Sequence, residues 1–194
     1  MARRASPAGP PAATVRGASG GVGRSSSPGA EALSDDLRRG AGAALGARRR
    51  IAGLTLGAMG SMGMVAAYQF GLLRHLPEPP LPGLDSDRVD ASGEAYQVLG
   101  TPDAALGLAS YAATLALAGM GGRDRARDRP WLPLALAAKT LLDAASGAYL
   151  ALEQGTKHRR FCTWCLIAAG SSVAMVPAAL PEARTAWRHL RRGR

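Results

Sequence analysis

Two cysteines carry the most reactive chemistry in this chain of 194 residues. They are Cys162 and Cys165, and they lie in the stretch HRRFCTWCLIAAG (158–170), where a basic segment gives way to an apolar run. A C-x-x-C pair on the first turn of a helix brings both sulfurs within bonding reach. The helix N-terminus and the nearby cations favour the thiolate form. The pair therefore predicts a reversible dithiol/disulfide couple.

Two other interpretations of the cysteines stay open. Cysteines are small and polarizable, and they pack well in a helical bundle without any redox role. Alternatively, His158 and the two cysteines form an H-x3-C-x2-C spacing that offers three metal ligands. No fourth ligand is near in the sequence, and Lys157, Arg159 and Arg160 would repel a cation. We therefore expect no metal at this site.

A second unusual pair is Lys139 and Asp143, which interrupt an otherwise apolar segment. Residues four apart share a face of a helix, and lone charges inside a membrane are costly and often functional. The pair predicts either mutual neutralisation in the interior of a helical bundle or a proton relay.

The elements that position these residues are four apolar segments, residues 51–73, 104–122, 131–152 and 162–180. A bilayer core of about 30 Å needs roughly 20 apolar residues in a helix. Irregular backbone is too costly in lipid, so helices are the expected spanning structure. The sequence predicts an all-α integral membrane protein with a four-transmembrane-helix bundle. Thr101, Pro102 and Asp103 are typical of a helix cap, a first-turn proline and a first-turn acid before the second span.

Residues 1–50 differ in composition from the rest of the chain, since they are rich in Ala, Gly, Ser, Pro and Arg. Such a segment buries too little apolar surface to fold, so we expect a disordered tail, with 31–50 offering a short amphipathic helix on the membrane surface. A transit peptide, or a start codon assigned too far upstream, would have the same composition. Residues 186–194 are expected to form a basic cytoplasmic tail.

The net charge of +10 comes from 24 Lys+Arg against 14 Asp+Glu. The arginines cluster beside the apolar runs, at 38–50, 123–129 and 184–194, and they form no basic stripe with aromatic residues. This distribution argues against nucleic acid as a partner. The segment 74–103 is acidic instead, although residues 157–160 are basic. The positive-inside rule places both termini in the cytoplasm and the cysteines on the periplasmic side of a bacterial inner membrane, where disulfides are allowed.

Two sequence runs resemble a known family. The run ASGAYLALEQGTKHRRFCTWC (145–165) is similar to the end of the third helix, the short loop and the FCxxC start of the fourth helix in vitamin K epoxide reductase proteins. The run YQVLGTPDAALGLASY (96–111) resembles the LGxP…LG segment that enters their second helix. The order and spacing of the four spans match as well, over about residues 51–185.

The resemblance implies that the C-x-x-C exchanges electrons with a quinone, ubiquinone or menaquinone, held within the bundle. Cys165 would face the quinone, and Cys162, closer to the outer surface, would exchange disulfides with a periplasmic thioredoxin-like thiol protein. Asp103 falls where relatives often place a polar residue near the quinone oxygen, although a carboxyl group donates a hydrogen bond there only when protonated. Trp164, between the cysteines, is also predicted to contact the quinone.

The chain departs from the family pattern in one respect. Family members usually carry a second cysteine pair in the first outer loop, whereas segment 74–103 contains none. The leading hypothesis is a membrane thiol:quinone oxidoreductase that supports disulfide formation in exported proteins, with Cys162 exchanging directly with an external thiol. The alternatives are a non-enzymatic four-helix membrane scaffold or partner subunit, and a small metal-binding membrane protein.

Overall fold

The computed structural model describes residues 27–192. Over this range the chain forms helices and turns, and it contains no strand apart from an isolated parallel bridge between Leu84 and Phe161. Of the tail predicted over residues 1–50, residues 1–26 lie outside the described residues, whereas residues 28–39 and 43–50 are helical. In chain order the α-helices are α1 Pro28–Arg39, α2 Ala43–Gln69, α3 Ser86–Asp90, α4 Asp103–Gly119, α5 Arg125–Asp128, α6 Trp131–Glu153 and α7 Thr163–Arg192. A 3-10 turn spans Gly93–Tyr96, and a π-helical turn follows α6 at Gln154–His158.

The four long helices α2, α4, α6 and α7 pack into one bundle. Helix α7 contacts both α2 and α6, and α2 also contacts α4. Small residues allow close approach, because a Cβ atom added at Gly147 of α6 would lie 3.1 Å from the Cα of Ala169 in α7. The core between the helices includes the buried side chains of Ile51, Ala58, Val65, Leu136 and Met175.

The perimeter of the bundle is apolar, with exposed side chains such as Leu56, Leu142 and Val173. Among the described helices, α2 and α7 are long and apolar enough to cross a membrane. Helix α4 is apolar but shorter, and α6 carries Lys139 and Asp143, which lower its mean hydropathy. The all-helical prediction is confirmed for the described residues, while length and composition support two spans.

Helix boundaries follow the predicted segments closely in the middle of the chain and depart from them at both ends. Helices α4 and α6 begin and end within a few residues of 104–122 and 131–152. Helix α2 begins at Ala43, eight residues before the predicted start at 51. Helix α7 continues past 180, through Pro177 and Pro181, to Arg192. Polar turns extend both helices because their side chains find partners at the end of the bundle.

The start of α4 is capped differently from the prediction. The N-cap position is Pro102, with no side-chain capping bond, and Asp103 is the first helical residue. The N–H of Ala104 instead donates to Oε1 of Gln69, at the end of α2, over 3.2 Å. A side chain from another helix therefore satisfies a free N–H group of α4.

Two arginines hold together what we call the arginine end of the bundle, formed by segment 120–130 and the C-terminal half of α7. The Arg48 guanidinium donates to the carbonyl oxygen of Ala118 in the last turn of α4, and to those of Met120, Gly121 and Gly122 in the turn that follows. The arginine thus satisfies carbonyl groups at and just beyond the end of the helix.

Arg125 is buried at the same end and pairs with Glu182 of α7, with Nε to Oε1 at 2.9 Å and Nη2 to Oε2 at 2.7 Å. The sequence had indicated these arginines only as charges that set membrane orientation. Their burial shows that they are also part of the packing.

Candidate redox site at the cysteine end

The opposite end of the bundle, called here the cysteine end, is covered by residues 70–102, which we call the cap. Its backbone pairs with the segment before α7, since Asp85 N–H donates to the Phe161 carbonyl at 3.0 Å and Phe161 N–H to the Gly83 carbonyl at 2.9 Å. Ser86 Oγ accepts from the N–H of Thr163 at 3.2 Å. The cap is therefore attached directly to the residues beside the cysteines.

Cys162 occupies the position just before α7, and its sulfur serves as the helix cap. The N–H of Cys165 points at Cys162 Sγ over 3.2 Å, and the N–H of Leu166 donates to the Cys162 carbonyl at 3.0 Å. The N–H of Cys162 itself donates to Gln154 Oε1 at 2.9 Å. The sulfur of Cys162 thus lies at the positive end of the α7 dipole.

Accessibility differs between the two thiols, and the expected order is reversed. Cys162 is 0% exposed beneath the cap, whereas Cys165 is half-buried. The expectation that Cys162 is the thiol within reach of an outside protein is therefore not met in this conformation. The reason is that the cap folds over the start of α7, which a linear view of the helix does not anticipate.

Asp90, the last residue of α3, reaches the cysteine pair from the cap. Its carboxylate accepts from Cys165 Sγ over 3.4 Å. Asp90 is 2% exposed, and its Oδ2 atom has no hydrogen-bond partner among residues 27–192. Burial raises the pKa of Asp90 from 3.8 to about 6, while hydrogen bonds from the two thiols act in the opposite direction.

A cavity of about 290 Å³ lies beside Cys165 and Asp90 and is lined by residues of all four long helices and the cap. Leu142 and Leu150 of α6 line it while remaining exposed on the outer surface of the bundle. The cavity is therefore continuous with the apolar perimeter. Its further apolar lining includes Met62, Val65, Val89, Ala168 and Ala169.

The lining of the cavity also includes polar side chains of α4 and α6. Asp143 accepts hydrogen bonds from Ser110 Oγ at 3.0 Å and from Thr114 Oγ1 at 2.7 Å. Lys139 pairs with Asp143 over 2.5 Å, which confirms that the two charges neutralise each other in the interior. The Tyr111 hydroxyl, also in the lining, lies 2.8 Å from Ser172 Oγ.

The other residues singled out from the sequence have different locations. Asp103 lines the cavity, with its Oδ1 accepting from Gln69 Nε2 at 2.7 Å. The indole of Trp164 donates to the Pro77 carbonyl at 2.9 Å, so within the described chain this ring contacts the cap, and it is not among the residues that line the cavity. The roles of both residues stay predictions.

The three residues of the H-x3-C-x2-C spacing, His158, Cys162 and Cys165, do not form a group of three metal ligands in the structure. His158 lines the cavity, but the residue that joins the two cysteines is Asp90, with the three ligand atoms within 4.8 Å of one another. Two sulfurs and one carboxylate oxygen match the ligand types of a soft or borderline cation such as zinc. A structural zinc site usually has four protein ligands, and these described residues supply three.

Two functional candidates were missed from the sequence, Asp90 and Gln154. Asp90 was treated as one of several acids that orient the chain in the membrane, and 75 residues separate it from Cys165. The sequence feature that could have pointed to Asp90 is its position in a short acidic segment that begins at Asp85. Asp85 caps α3 by accepting from the Arg88 N–H. Gln154 carried no local signal.

Comparison with protein-family models gives a match to the vitamin K epoxide reductase family over residues 49–180. The matched residues include α4, α6, the cap, both cysteines and most of α2. Comparison with curated proteins gives no match. The matched segment is well over half of the chain and contains the whole cysteine end of the bundle, so the chain belongs to the vitamin K epoxide reductase family.

Proposed function

We propose that this protein is a membrane thiol:quinone oxidoreductase in which Cys162 and Cys165 cycle between dithiol and disulfide. The family is one of membrane oxidoreductases associated with quinones, and the specific coupling is our proposal. The observation that carries it is the position of Cys165, which lines a largely apolar cavity and lies within 4.8 Å of the Cys162 sulfur.

The membrane arrangement is part of the proposal. Helices α2, α4, α6 and α7 would all span the bilayer, with the arginine end in the cytoplasm and the cysteine end in the periplasm. The arginine clusters and the acidic cap support this direction. Helix α6 tolerates Lys139 and Asp143 because they pair with each other and with the hydroxyls of α4.

The cavity fits the head of a quinone better than the whole molecule. Its volume of about 290 Å³ is near the lower end of the usual range for ligand pockets, roughly 300–1,000 Å³. An isoprenoid tail would leave past Leu142 and Leu150, toward lipid. Asp103 and Ser110 offer polar contacts for the ring oxygens.

The proposed reaction is balanced in electrons and protons. Two thiols lose two electrons and two protons and form one disulfide, and the quinone takes up both electrons and both protons to become a hydroquinone. A thiol of an external protein then attacks the disulfide, and exchange restores the dithiol while the external pair is oxidised. The net result is a disulfide in the partner and a reduced quinone.

The exchange step needs a movement of the cap, since Cys162 is fully buried beneath it. The hydrogen bonds of Ser86 and Trp164 close this route from the cap side. A periplasmic thioredoxin-like protein would therefore reach Cys162 after the cap is displaced.

One alternative function has an observation in its favour. Asp90, Cys162 and Cys165 place three ligand atoms together, which suits a metal-binding membrane protein. Such a protein would contain about one bound metal per chain after purification, and both thiols would be protected from titration until the metal was removed. The scaffold alternative predicts that replacing both cysteines changes stability alone.

The test is quinone reduction by purified, pre-reduced protein in detergent, followed through the quinone absorbance with short-tailed ubiquinone and menaquinone analogues. We expect Cys165→Ala and Cys162→Ala to lose the reaction. Thr185→Ala is the matched control, because Thr185 is an exposed hydroxyl residue of the same helix whose bond stays local, to the Pro181 carbonyl. Equal initial rates in the unmodified protein and Cys165→Ala would end the proposal.

A further inference from the structure

The carboxylate of Asp90 has no structural task that would explain its burial. Oδ1 contacts a thiol, and Oδ2 contacts no donor among the described residues. A buried acceptor left without a partner costs free energy, so proteins rarely keep one without a use. Asp90 also lines the cavity beside Cys165. The Asp90 side chain therefore lies beside both the Cys165 sulfur and the space proposed for the quinone ring.

Asp87, on the same short helix, shows what a structural carboxylate looks like in this cap. Its Oδ1 accepts from the Leu76 N–H at 2.8 Å, and its Oδ2 lies 2.7 Å from His75 Nδ1. Both oxygens of Asp87 hold the cap together. The part of Asp90 that holds the fold is its backbone carbonyl, which accepts from Gln69 Nε2 at 3.3 Å, and this bond does not depend on the side chain.

We propose that Asp90 is the catalytic proton carrier of the site, taking the proton from the Cys165 thiol and passing it to the quinone oxygen. The inference rests on the proposed thiol:quinone function and adds the route of the proton. Oxidation of the dithiol releases two protons along with two electrons. Asp90 receives the proton of Cys165 when the sulfur gives up its electrons, and it returns to the carboxylate form when the reduced ring takes that proton. The second proton, from Cys162, is carried by the same group after Asp90 has passed on the first proton and returned to the carboxylate form.

The geometry supports each step. The sulfur-to-oxygen distance of 3.4 Å is within hydrogen-bonding range for a thiol donor. Asp90 lines the cavity, and its Oδ2 has no donor among residues 27–192, so this oxygen is available to a ligand packed against Asp90 while Oδ1 remains near the sulfur. Proton transfer by a positioned side chain typically contributes about 10²–10⁴-fold to a rate, so Asp90 has a measurable task.

The surroundings of Asp90 keep the pKa of its carboxyl group in a range where the group can both accept and donate a proton. Burial raises its pKa to about 6, and the nearby carboxylates of Asp103 and Asp87 act in the same direction. The thiols of Cys162 and Cys165 counteract this by hydrogen bonding to the charged form. A group with a pKa near the working pH is the most effective acid–base catalyst. Further titratable groups line the same cavity or lie near the same carboxylate, namely Tyr68, Glu94, Tyr111, Asp143, Glu153 and His158.

The experiment compares Asp90→Asn and Asp90→Glu with Asp87→Asn. Single-turnover reduction of a short-tailed quinone by the pre-reduced protein is measured from pH 5 to 8. We expect Asp90→Asn to be about 100-fold slower and to lose a rate inflection near pH 6 that the unmodified protein shows. Asp90→Glu should recover part of the rate. Asp87→Asn should lower thermal stability and keep the inflection.

Alkylation of Cys165 by iodoacetamide, in a Cys162→Ala background, separates proton transfer from damage to the site. Removal of a negative charge beside the sulfur does not disfavour the thiolate, so alkylation in Asp90→Asn should be at least as fast as in its parent. Slow quinone reduction together with unimpaired alkylation supports the proposal. Alkylation that is slowed as much as quinone reduction would indicate that the substitution has collapsed the site, and this result would overturn the proposed role of Asp90.

Two further outcomes also overturn the role of Asp90. If Asp90→Asn keeps the rate and pH profile while Cys165→Ala is inactive, the oxidoreductase stands and the proton carrier does not. If the purified protein contains one zinc per chain that is lost in Asp90→Asn, the residue is a metal ligand instead. If the unmodified protein reduces no quinone, the underlying function itself has failed.

Discussion

Removal of the Glu182 carboxylate should destabilise the arginine end strongly, because it leaves a charged guanidinium buried without its counter-ion. The side chains of Arg125 and Glu182 are 0% and 5% exposed. Glu182→Ala removes two charge-assisted hydrogen bonds, each worth roughly 1.5–3 kcal/mol. Arg125 keeps its bonds to the Leu117 and Met120 carbonyls, both at 2.7 Å, which limits the loss. We expect a loss of about 4 kcal/mol, within the range of roughly 3–5 kcal/mol for a broken buried ion pair.

For a chain of this size about 1 kcal/mol corresponds to roughly 2–4 °C in melting temperature, so Glu182→Ala should melt about 8–16 °C lower. The measurement is thermal unfolding of detergent-purified protein by circular dichroism. Arg125→Met combined with Glu182→Leu should recover most of the loss, since it removes both charges and keeps the volume.

The matched control is Asp35→Asn, which breaks the pair between Asp35 and Arg39, two side chains that are about half exposed. Exposed pairs contribute about 0–1 kcal/mol, so this variant should melt close to the unmodified protein. If Glu182→Ala shifts the melting temperature no more than Asp35→Asn does, the buried pair is not what holds the end of α7 in place.

Three further predictions concern the cysteine end and the helix packing. Because burial raises the pKa of Asp90 from 3.8 to about 6, the folded state binds this proton more tightly than the unfolded state. Relative to Asp90→Asn, the unmodified protein should therefore lose about 3 kcal/mol of unfolding free energy as the pH rises from about 3 to about 7, measured by denaturant unfolding. A difference that is independent of pH contradicts this. Gly147→Ala should lower the free energy of unfolding by about 1–3 kcal/mol, because the added Cβ would meet the backbone of α7. Gly57→Ala, with open space around the residue, should be neutral or stabilising. Equal melting temperatures for the two variants would show that α6 and α7 are not in close contact. Finally, a membrane-permeant maleimide should label Cys165 several-fold faster than Cys162, which is 0% exposed, and mass spectrometry of each site would expose the opposite order.

The long apolar runs made four helices predictable, since a run of about 20 apolar residues has few alternatives to a helix. The ends of α2 and α7 were not predictable in the same way. Residues 43–50 and 181–192 look like polar flanks in the sequence, and they become helical where Arg48 and Glu182 find buried partners. Those partners lie 70 and 57 residues away in the chain.

The fold of the cap was even less predictable from the sequence. Segment 74–103 has no periodic apolar pattern, so its fold could not be derived from local propensity. Ser86 and Asp90 of the cap accept hydrogen bonds from Thr163 and Cys165 at the start of α7, which lie 77 and 75 residues away. The acids of this segment indicate the orientation of the chain in the membrane, but their position in the sequence carries no information about which of them reaches a sulfur.

The sequence by itself determined the reactive groups, the helical class and the four apolar segments, because these depend on residue type and on spacing within one turn or one span. Only the tertiary structure decided that Cys162 is covered, that Cys165 lines the cavity, and that Asp90 of the cap reaches the cysteine pair. These properties arise from contacts between distant segments, and their energies depend on how the helices pack and how the cap closes over them.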